Sequence, residues 1–534
     1  MARRRESEPL PIRSGTWWAL GMQAAAQVTS LVVFGTLCRW IAPADFGDFN
    51  TALLLVTLPR MVAQSGLGLA TVQHATASPE VLDRLFWWNL ALSLLAGAVS
   101  VVLGGLGALL TDAPRLLPVT AALAGTTVLA ALGSQQLALL ERGLEIRRAA
   151  VSRWLAQSLA GAAAIGLAVL EQTWVALVAQ QYLEWTVLAV LAWRGVSWRP
   201  RWPWRLRSEE GANGPGSWRA ALRFSGHATL ANVVFYASQN ADKLLLYFML
   251  GGVLAGSATV GATPGAAPGA APEAAAVAGT VAGAAAVGMY SVAFNFMMKP
   301  VLLVSSAVSS VMLPTLARVA DRPREYQQQA ARFYRLTAVI LFPCGVGMVL
   351  TADDIMRVLA GSKWEASGRL LAWLAPAVVV HGLYNLTGSL LMACGRAAWL
   401  ARAACVLGVV QLQGFAAGYW LGGMAGGNAW GATQGVAASY SAVLVLVLFI
   451  PYQWFAMRET GVSFGAVFRG VAAPLRNSLV MGVAIWFIRD QCQDWAAWHE
   501  FPALARLGTL TAVGVAIYGL MANRQLRELF GRTV

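Results

Sequence analysis

Ser14-Gly15, a long apolar run and Phe46-Gly47-Asp48-Phe49 open this chain; Ser225-Gly226, a second long apolar run and Val287-Gly288-Met289-Tyr290 reopen it near the midpoint. Each copy continues with another apolar run and then a turn, at Ser78-Pro79 in the first and Arg322-Pro323 in the second. Further on, Gly133-Ser134-Gln135-Gln136 with Glu141-Arg142-Gly143 is answered by Gly388-Ser389-Leu390-Leu391 with Cys394-Gly395-Arg396. An internal repeat built of apolar runs points to two copies of one membrane bundle with a cargo held between them.

Composition agrees. Of 534 residues, 57% are hydrophobic and 12% charged, a balance that excludes ordinary soluble domains. Runs of about twenty apolar residues, enough to cross about 30 Å of hydrocarbon, recur from end to end. They lie near 16–40, 50–72, 86–110, 116–139, 149–170, 174–194, 223–250, 289–314, 334–351, 370–393, 400–422, 430–453, 473–489 and 504–522. The expectation is an all-α polytopic membrane protein of about fourteen spans. Residues 1–208 form a first six-helix lobe, 209–457 a second in pseudo-two-fold repeat, and 458–534 two further helices and a tail. No stretch between spans is long enough for an enzymatic domain, so no catalytic role is expected.

The net charge of +14 sets topology and does not signal a nucleic-acid partner. With the N-terminus in the cytoplasm, most Arg and Lys fall on cytoplasmic loops, as the positive-inside rule requires. Arg3-Arg4-Arg5, the set Arg142, Arg147, Arg148 and Arg153, and the run Arg194, Arg199, Arg201, Arg205 and Arg207 are the markers. An even number of spans returns the C-terminus to the same side. Cys38, Cys344, Cys394, Cys405 and Cys492 form no spaced set, so neither a disulfide framework nor a metal site is expected, and no cofactor motif is present. The first apolar run lacks a small-residue cleavage site and is expected to remain as a membrane anchor.

Two connecting stretches stand out. Residues 195–222, with Trp198-Arg199-Pro200-Arg201-Trp202-Pro203-Trp204, join the halves and suit an interfacial linker among headgroups. Residues 252–287 are almost uncharged Ala, Gly, Val and Pro. Gly15 and Gly47 are 32 positions apart, Gly226 and Gly288 62 apart, and the surplus matches this tract. It reads as an insertion after the seventh span, a mobile loop whose end (Ala282 to Val287) extends the next helix.

Ionisable side chains inside a span are costly and mark a partner or a water-filled cavity. Five qualify: Arg60 after Pro59 in the second span, Glu184 in the sixth, adjacent Asp242 and Lys243 in the seventh, and Lys299 before Pro300 in the eighth. Helical spacing supplies their company. Asn295 and Lys299 share a face with Ser306 and Ser310 nearby; Asn232, Tyr236, Gln239 and Lys243 form another stripe, from which Asp242 points about 100° away. Gln23, Gln27 and Ser30 line the first span, Gln180 and Glu184 the sixth, and His381, Asn385 and Ser389 the tenth. Such stripes also join helices by hydrogen bonds, and a lone His381 reads as a satisfied buried imidazole. Arg60, Lys243 and Lys299 are expected to face a central aqueous cavity; pairing of Lys243 with Glu184 or Asp242 is the other reading. A cationic cavity of low dielectric attracts an anionic head group, above all a phosphate.

Several stretches resemble polysaccharide-export flippases. Ile41-Ala42-Pro43-Ala44-Asp45-Phe46-Gly47 resembles L-x-P-x-D-F-G, and Gly66-Leu67-Gly68-Leu69-Ala70-Thr71-Val72-Gln73 resembles G-L-G-x-A-x-x-Q. Asn240-Ala241-Asp242-Lys243-Leu244-Leu245 with Gly288-Met289-Tyr290-Ser291-Val292-Ala293-Phe294-Asn295, and Gly361-Ser362-Lys363-Trp364, resemble further family stretches. The resemblance covers most of 14–450. It implies the multidrug/oligosaccharidyl-lipid/polysaccharide exporter superfamily, in the Wzx-type branch. Members flip undecaprenyl-diphosphate-linked oligosaccharide across the bacterial inner membrane, by rocking two six-helix lobes around a cationic cavity. The chain departs from the family in its Ala/Gly/Pro tract, in Lys243 where a neutral residue is commoner, and in Arg60, to which the resemblance assigns no role.

The expectation is therefore a lipid-linked oligosaccharide flippase for exopolysaccharide or O-antigen synthesis. Arg60, Lys243 and Lys299 would hold the diphosphate, and Gln23, Gln27, Gln239, Asn295 and Asn385 would meet sugars. Asp242 or Glu184 would couple an ion. Membrane lipids, a polysaccharide polymerase and glycosyltransferases are the expected partners. A lipid II flippase or a multidrug antiporter are the alternatives within the superfamily. A glycan polymerase or acyltransferase would need catalytic side chains where the Ala/Gly/Pro tract stands.

Overall fold

A chain crossing hydrocarbon must satisfy its backbone hydrogen bonds internally, so long helices follow from the apolar runs. The computed structural model describes residues 12–73, 79–142, 145–171, 173–202, 233, 236–237, 240–250, 272–319, 321–426, 429–493 and 502–530. The first half contains α1 (Ile12–Trp40), α2 (Pro43–Gln73), α3 (Pro79–Thr111), α4 (Leu116–Arg142), α5 (Ile146–Glu171) and α6 (Trp174–Gly195). In the second half, residues 240–250 are helical (α7), followed by α8 (Pro272–Ala317), α9 (Pro323–Leu359), α10 (Glu365–Leu374), α11 (Ala377–Ala393), α12 (Ala397–Gly426), α13 (Ala429–Ala442) and α14 (Phe449–Thr460). Last come α15 (Phe464–Gln493) and α16 (Ala503–Phe530).

The expected count of about fourteen spans is not confirmed by the described residues. Among the described residues, 11 helices are long and apolar enough to cross a membrane, or 12 if the bent pair α10–α11 is one span. The run at 50–72 lies within α2, and only part of 223–250 is described. The tenth span is bent by 56° between α10 and α11, where Pro376 supplies no N–H to the turn before it. The twelfth is continuous from α13 to α14 through a wider π turn at Val443–Leu448.

The repeat is visible in who packs on whom. In the first half α1 packs on α5, α5 on α6, α6 on α4, and α2 on both α3 and α4. In the second half α12 packs on α13, α13 on α10, and α8 on α9, α10 and α11. These are the same neighbours one repeat later.

The two sets meet where α2 crosses α8. A Cβ on Gly47 would overlap the Ala284 carbonyl, and one on Gly288 would overlap the Pro43 carbonyl. The crossing is reciprocal, since Pro43 precedes Gly47 by the same four residues as Ala284 precedes Gly288. Only glycine lets the backbones approach this closely. The motif glycines that betray the repeat in sequence thus sit at its axis. Gly283, Ala284, Ala286 and Val287 are buried here, which corrects the tract's boundary. Helix α8 starts at Pro272, so the tract's last part belongs to the α2–α8 packing. Residues 252–271 lie outside the described residues.

The same end of the bundle carries more ties. Arg39 donates to the Val358 carbonyl at 2.6 Å, Trp364 Nε1 to the Cys38 carbonyl at 2.6 Å, and Tyr247 to Asp48 Oδ1 at 2.9 Å. Trp364 is fully buried and meets Phe46 edge-on at 5.3 Å. Gly35 packs against the Leu359 carbonyl. We call this the closed end.

At the opposite end the linker folds back on α3. The Trp87 indole donates to the Arg201 carbonyl, the Arg201 N–H to Asp83, and Trp87 stacks on Trp202 at 5.6 Å. Arg199 caps the end of α6 through the Trp193 and Val196 carbonyls and lies 5.2 Å over the Trp193 ring. Helices α15 and α16 pack on α9. Arg506 pairs with Asp354 at 2.8 Å and Arg489 with Asp353 at 3.5 Å, and Tyr518 donates to the Val339 carbonyl.

Candidate functional site

The three expected cations fall into two groups, Arg60 and Lys299 at the seam between the halves and Lys243 inside the second. Lys299, on α8, reaches across to α1, where its Nζ donates to Ser30 Oγ at 2.6 Å and lies 5.8 Å from the Phe34 ring. Arg60, on α2, sits beside the seventh helix. Its guanidinium lies 5.1 Å over Trp185 of α6 and donates weakly to Thr57. Thr57 is in turn hydrogen-bonded to Tyr236, from the second half, and Glu184 and Tyr236 are within electrostatic reach of the arginine. Among the described residues, Arg60 Nη1 and Trp185 Nε1 are buried donors without an acceptor.

These two residues flank corresponding prolines of the repeat, Pro59 twelve residues after Gly47 and Pro300 twelve after Gly288. Arg60 lies thirteen residues after Gly47, and Lys299 lies eleven after Gly288. Each adjoins a proline and each faces the first helix of the other half. The duplicated bundle therefore places one cation on each of two related seams.

Lys243 and Asp242 sit elsewhere. Both are buried, at 7% and 0% exposure, which corrects the expectation that Lys243 faces an open cavity. Its ammonium donates to Asn240 Oδ1 at 2.8 Å and rests 4.0 Å above the Phe294 ring, a contact worth more once water is excluded. Asp242 Oδ2 accepts a 2.6 Å hydrogen bond from Tyr290, and its Oδ1 accepts none from a side chain among the described residues. Phe294 meets Tyr440 edge-on at 5.6 Å, and the Tyr440 hydroxyl is 2.6 Å from His381 Nε2. Glu184 accompanies Arg60 rather than Lys243, so of the two pairings considered for Lys243, the near counter-charge is Asp242.

The remaining candidates are spread along the walls. Gln23 is exposed and Gln27 half-buried on α1, and Asn295 is half-buried on α8. Asn385 donates to Ser305 at 3.4 Å, and Ser389 meets Ser309. Gln239 lies outside the described residues. Sequence reading missed Trp185, Tyr290 and Tyr440. Tyr290 stands inside a quoted motif, Gly288 to Asn295, and an aromatic hydroxyl two residues past the crossing glycine was the available signal.

Comparisons with known proteins agree with this architecture. Residues 36–262 and 274–369 match the family described as polysaccharide biosynthesis protein. The chain is 24% identical over 526 residues to the succinoglycan biosynthesis transport protein ExoT of Rhizobium meliloti (strain 1021), covering 96% of this chain and 93% of that one. It is 21% identical over 514 residues to the teichuronic acid biosynthesis protein TuaB of Bacillus subtilis (strain 168), covering 95% and 94%. The lipopolysaccharide biosynthesis protein WzxC of Escherichia coli (strain K12) is 21% identical, over 72% of this chain and 70% of that one. In fold, the chain resembles the lipid II flippase MurJ in an inward closed conformation, with a TM-score of 0.66 at 12% identity over 95% of this chain and 99% of that one. With duplicated bundles, seam cations and a family match across more than half its length, the chain is a multi-pass membrane protein and belongs to the polysaccharide biosynthesis protein family.

Proposed function

We propose that this protein flips a lipid-linked oligosaccharide, carried on an undecaprenyl diphosphate anchor, across the bacterial inner membrane for polysaccharide synthesis. Its relatives are named as transport or biosynthesis proteins for succinoglycan, teichuronic acid and lipopolysaccharide. The observation that carries the reading is the pair of seam cations, Arg60 and Lys299, at related positions of two repeats, with buried donors beside Arg60. Arginine can grip two phosphate oxygens, whereas lysine acts as a point charge. Gln23, Gln27, Asn295 and Asn385, and Gln239 from sequence, would meet sugar hydroxyls. Asp242 and Glu184 are the candidates for ion coupling.

The end opposite the closed one carries Arg147, Arg148, Arg153, Arg194, Arg199 and Arg201, so by the positive-inside rule it faces the cytoplasm, with both termini. The closed end then faces outward, and cargo enters from the cytoplasmic leaflet. Rocking of 1–208 against 209–457 about the Gly47–Gly288 crossing would reverse access, with 458–534 riding on α9. A polymerase and glycosyltransferases would act before and after this step. In a strain lacking the protein, lipid-linked oligosaccharide should accumulate in the cytoplasmic leaflet. Arg60→Ala/Lys299→Ala should fail to restore surface polymer at normal protein level; full restoration would sink the reading.

A further inference from the structure

Of Arg60, Lys243 and Lys299, Lys243 is the one held away from the seam, and the way it is held suggests a use. Tyr236, Asn240 and Lys243 lie on one face of the seventh helix. Asn240 Nδ2 donates to the Tyr236 carbonyl at 3.0 Å, and Lys243 Nζ donates to Asn240 Oδ1. Tyr236 is hydrogen-bonded to Thr57 one turn before Arg60. Polar groups thus line one helix face between the buried ammonium and the seam where Arg60 lies, with the Tyr236 hydroxyl at the far end of this ladder.

Resting on the flippase reading, we propose that Asp242 is a proton acceptor that controls whether the Lys243 ammonium stays inside the second bundle or moves along this ladder to the seam, to meet the cargo's diphosphate. While Asp242 is ionised, the carboxylate and ammonium offset each other in a chamber closed by Tyr290, Phe294 and Tyr440. A buried ammonium without a counter-charge is costly in such surroundings. When Oδ1, which Tyr290 does not bond, takes a proton, Lys243 loses its counter-charge while the Tyr290 hydrogen bond to Oδ2 remains. The flexible lysine stem then carries the charge toward the aqueous seam, where an anionic diphosphate replaces the lost partner. Conversely, bound diphosphate draws Lys243 out and leaves Asp242 to take a proton. Cargo binding and proton uptake therefore favour each other, by the reciprocity of linked equilibria.

The groups facing this centre are Lys243 on its own helix, Tyr290 on α8, Tyr440 on α13 and His381 on α11. The two tyrosines stay neutral across the physiological range. His381 is the other proton acceptor, but its Nε2 is occupied by Tyr440. Sodium at Oδ1 would have to sit beside the ammonium within an aromatic wall that offers few oxygen ligands.

Binding of undecaprenyl diphosphate to the purified full-length protein between pH 5 and 8 tests the proposal, with Lys243→Met giving the baseline set by the probe's own titration. Wild type should tighten as pH falls, by up to about tenfold per pH unit beyond that baseline. Asp242→Asn, which keeps the Tyr290 hydrogen bond, should bind at pH 8 as tightly as wild type at pH 5 and follow the baseline slope. Asp242→Asn/Lys243→Met should match Lys243→Met alone. If Asp242→Asn keeps the wild-type pH profile, or Lys243→Met binds as wild type does, the proposal falls and the flippase reading stands. If wild type fails to bind at every pH, both fall.

Discussion

Arg60 and Lys299 show how one residue type at one depth acquires a meaning. Each is a charge in a low-dielectric layer and needs a partner of opposite sign or water. Lys299 has a serine hydroxyl and the face of an aromatic ring, and Arg60 has a stacked indole and a weak bond to Thr57. Neither is held by a bidentate carboxylate among the described residues, which leaves both free to take an anion. Charge-assisted hydrogen bonds of this kind contribute about 1.5–3 kcal/mol. Arg60→Ala or Lys299→Ala should therefore weaken undecaprenyl diphosphate binding by about ten- to a hundredfold, read by titration of the purified protein. Arg60→Lys should recover only part of it, because the indole stack and the fork geometry are lost. Arg60, Glu184, Asp242, Lys243 and Lys299 were legible in the sequence, because a charge in an apolar run is conspicuous. The direction each faces was not. Asp242 and Lys243 are adjacent on a helix that borders both the seam and its own bundle, and helical spacing alone does not choose between these surroundings.

Among the helices, the closed end depends on two kinds of contact. Gly47 and Gly288 let α2 and α8 touch backbone to backbone. A valine at either position would push the halves apart there. Gly47→Val and Gly288→Val should each lose most export, and cysteine pairs placed across the closed end should cross-link less; Gly166→Ala, where an added Cβ meets nothing within 4 Å, should change neither. Trp364 plugs the same end. Truncating so large a buried ring costs about 3–5 kcal/mol, so Trp364→Ala should shift the protein toward opening at this end. Trp364→Phe should lose only the bond to the Cys38 carbonyl, about 1 kcal/mol. Both shifts would be read by the same cross-links. At the periphery, Arg506 and Asp354 are 12% and 16% exposed. A double-mutant cycle on thermal unfolding should find coupling of about 1–3 kcal/mol between them, whereas the more exposed Arg489–Asp353 pair should show less than about 1 kcal/mol. The helices themselves were readable because each run is long and apolar. The bend at Pro376 and the π turn at Val443–Leu448 were not, since hydropathy records length and polarity and not the path of the axis.

For the whole molecule, the duplication was read from glycine spacing, and the spacing works because those glycines form the crossing. The start of α8 was misjudged because alanine and glycine serve equally for a loop and for close helix packing, and only the neighbouring α2 decides. What the two halves share builds the seam: a glycine crossing and one cation on each side. What they do not share is the Asp242–Lys243 centre of the second half, with its aromatic enclosure and its ladder to Arg60. On the flippase reading, the seam selects and carries a lipid diphosphate. Purified protein reconstituted in vesicles, with a fluorescent undecaprenyl-diphosphate oligosaccharide scored by accessibility to an external glycosidase, tests it most directly. Transbilayer movement of the diphosphate-linked lipid should depend on the protein, a neutral undecaprenyl glycoside should not move, and Arg60→Ala/Lys299→Ala should lose the movement. Equal movement of the neutral lipid, or undiminished movement in the double variant, would contradict this reading.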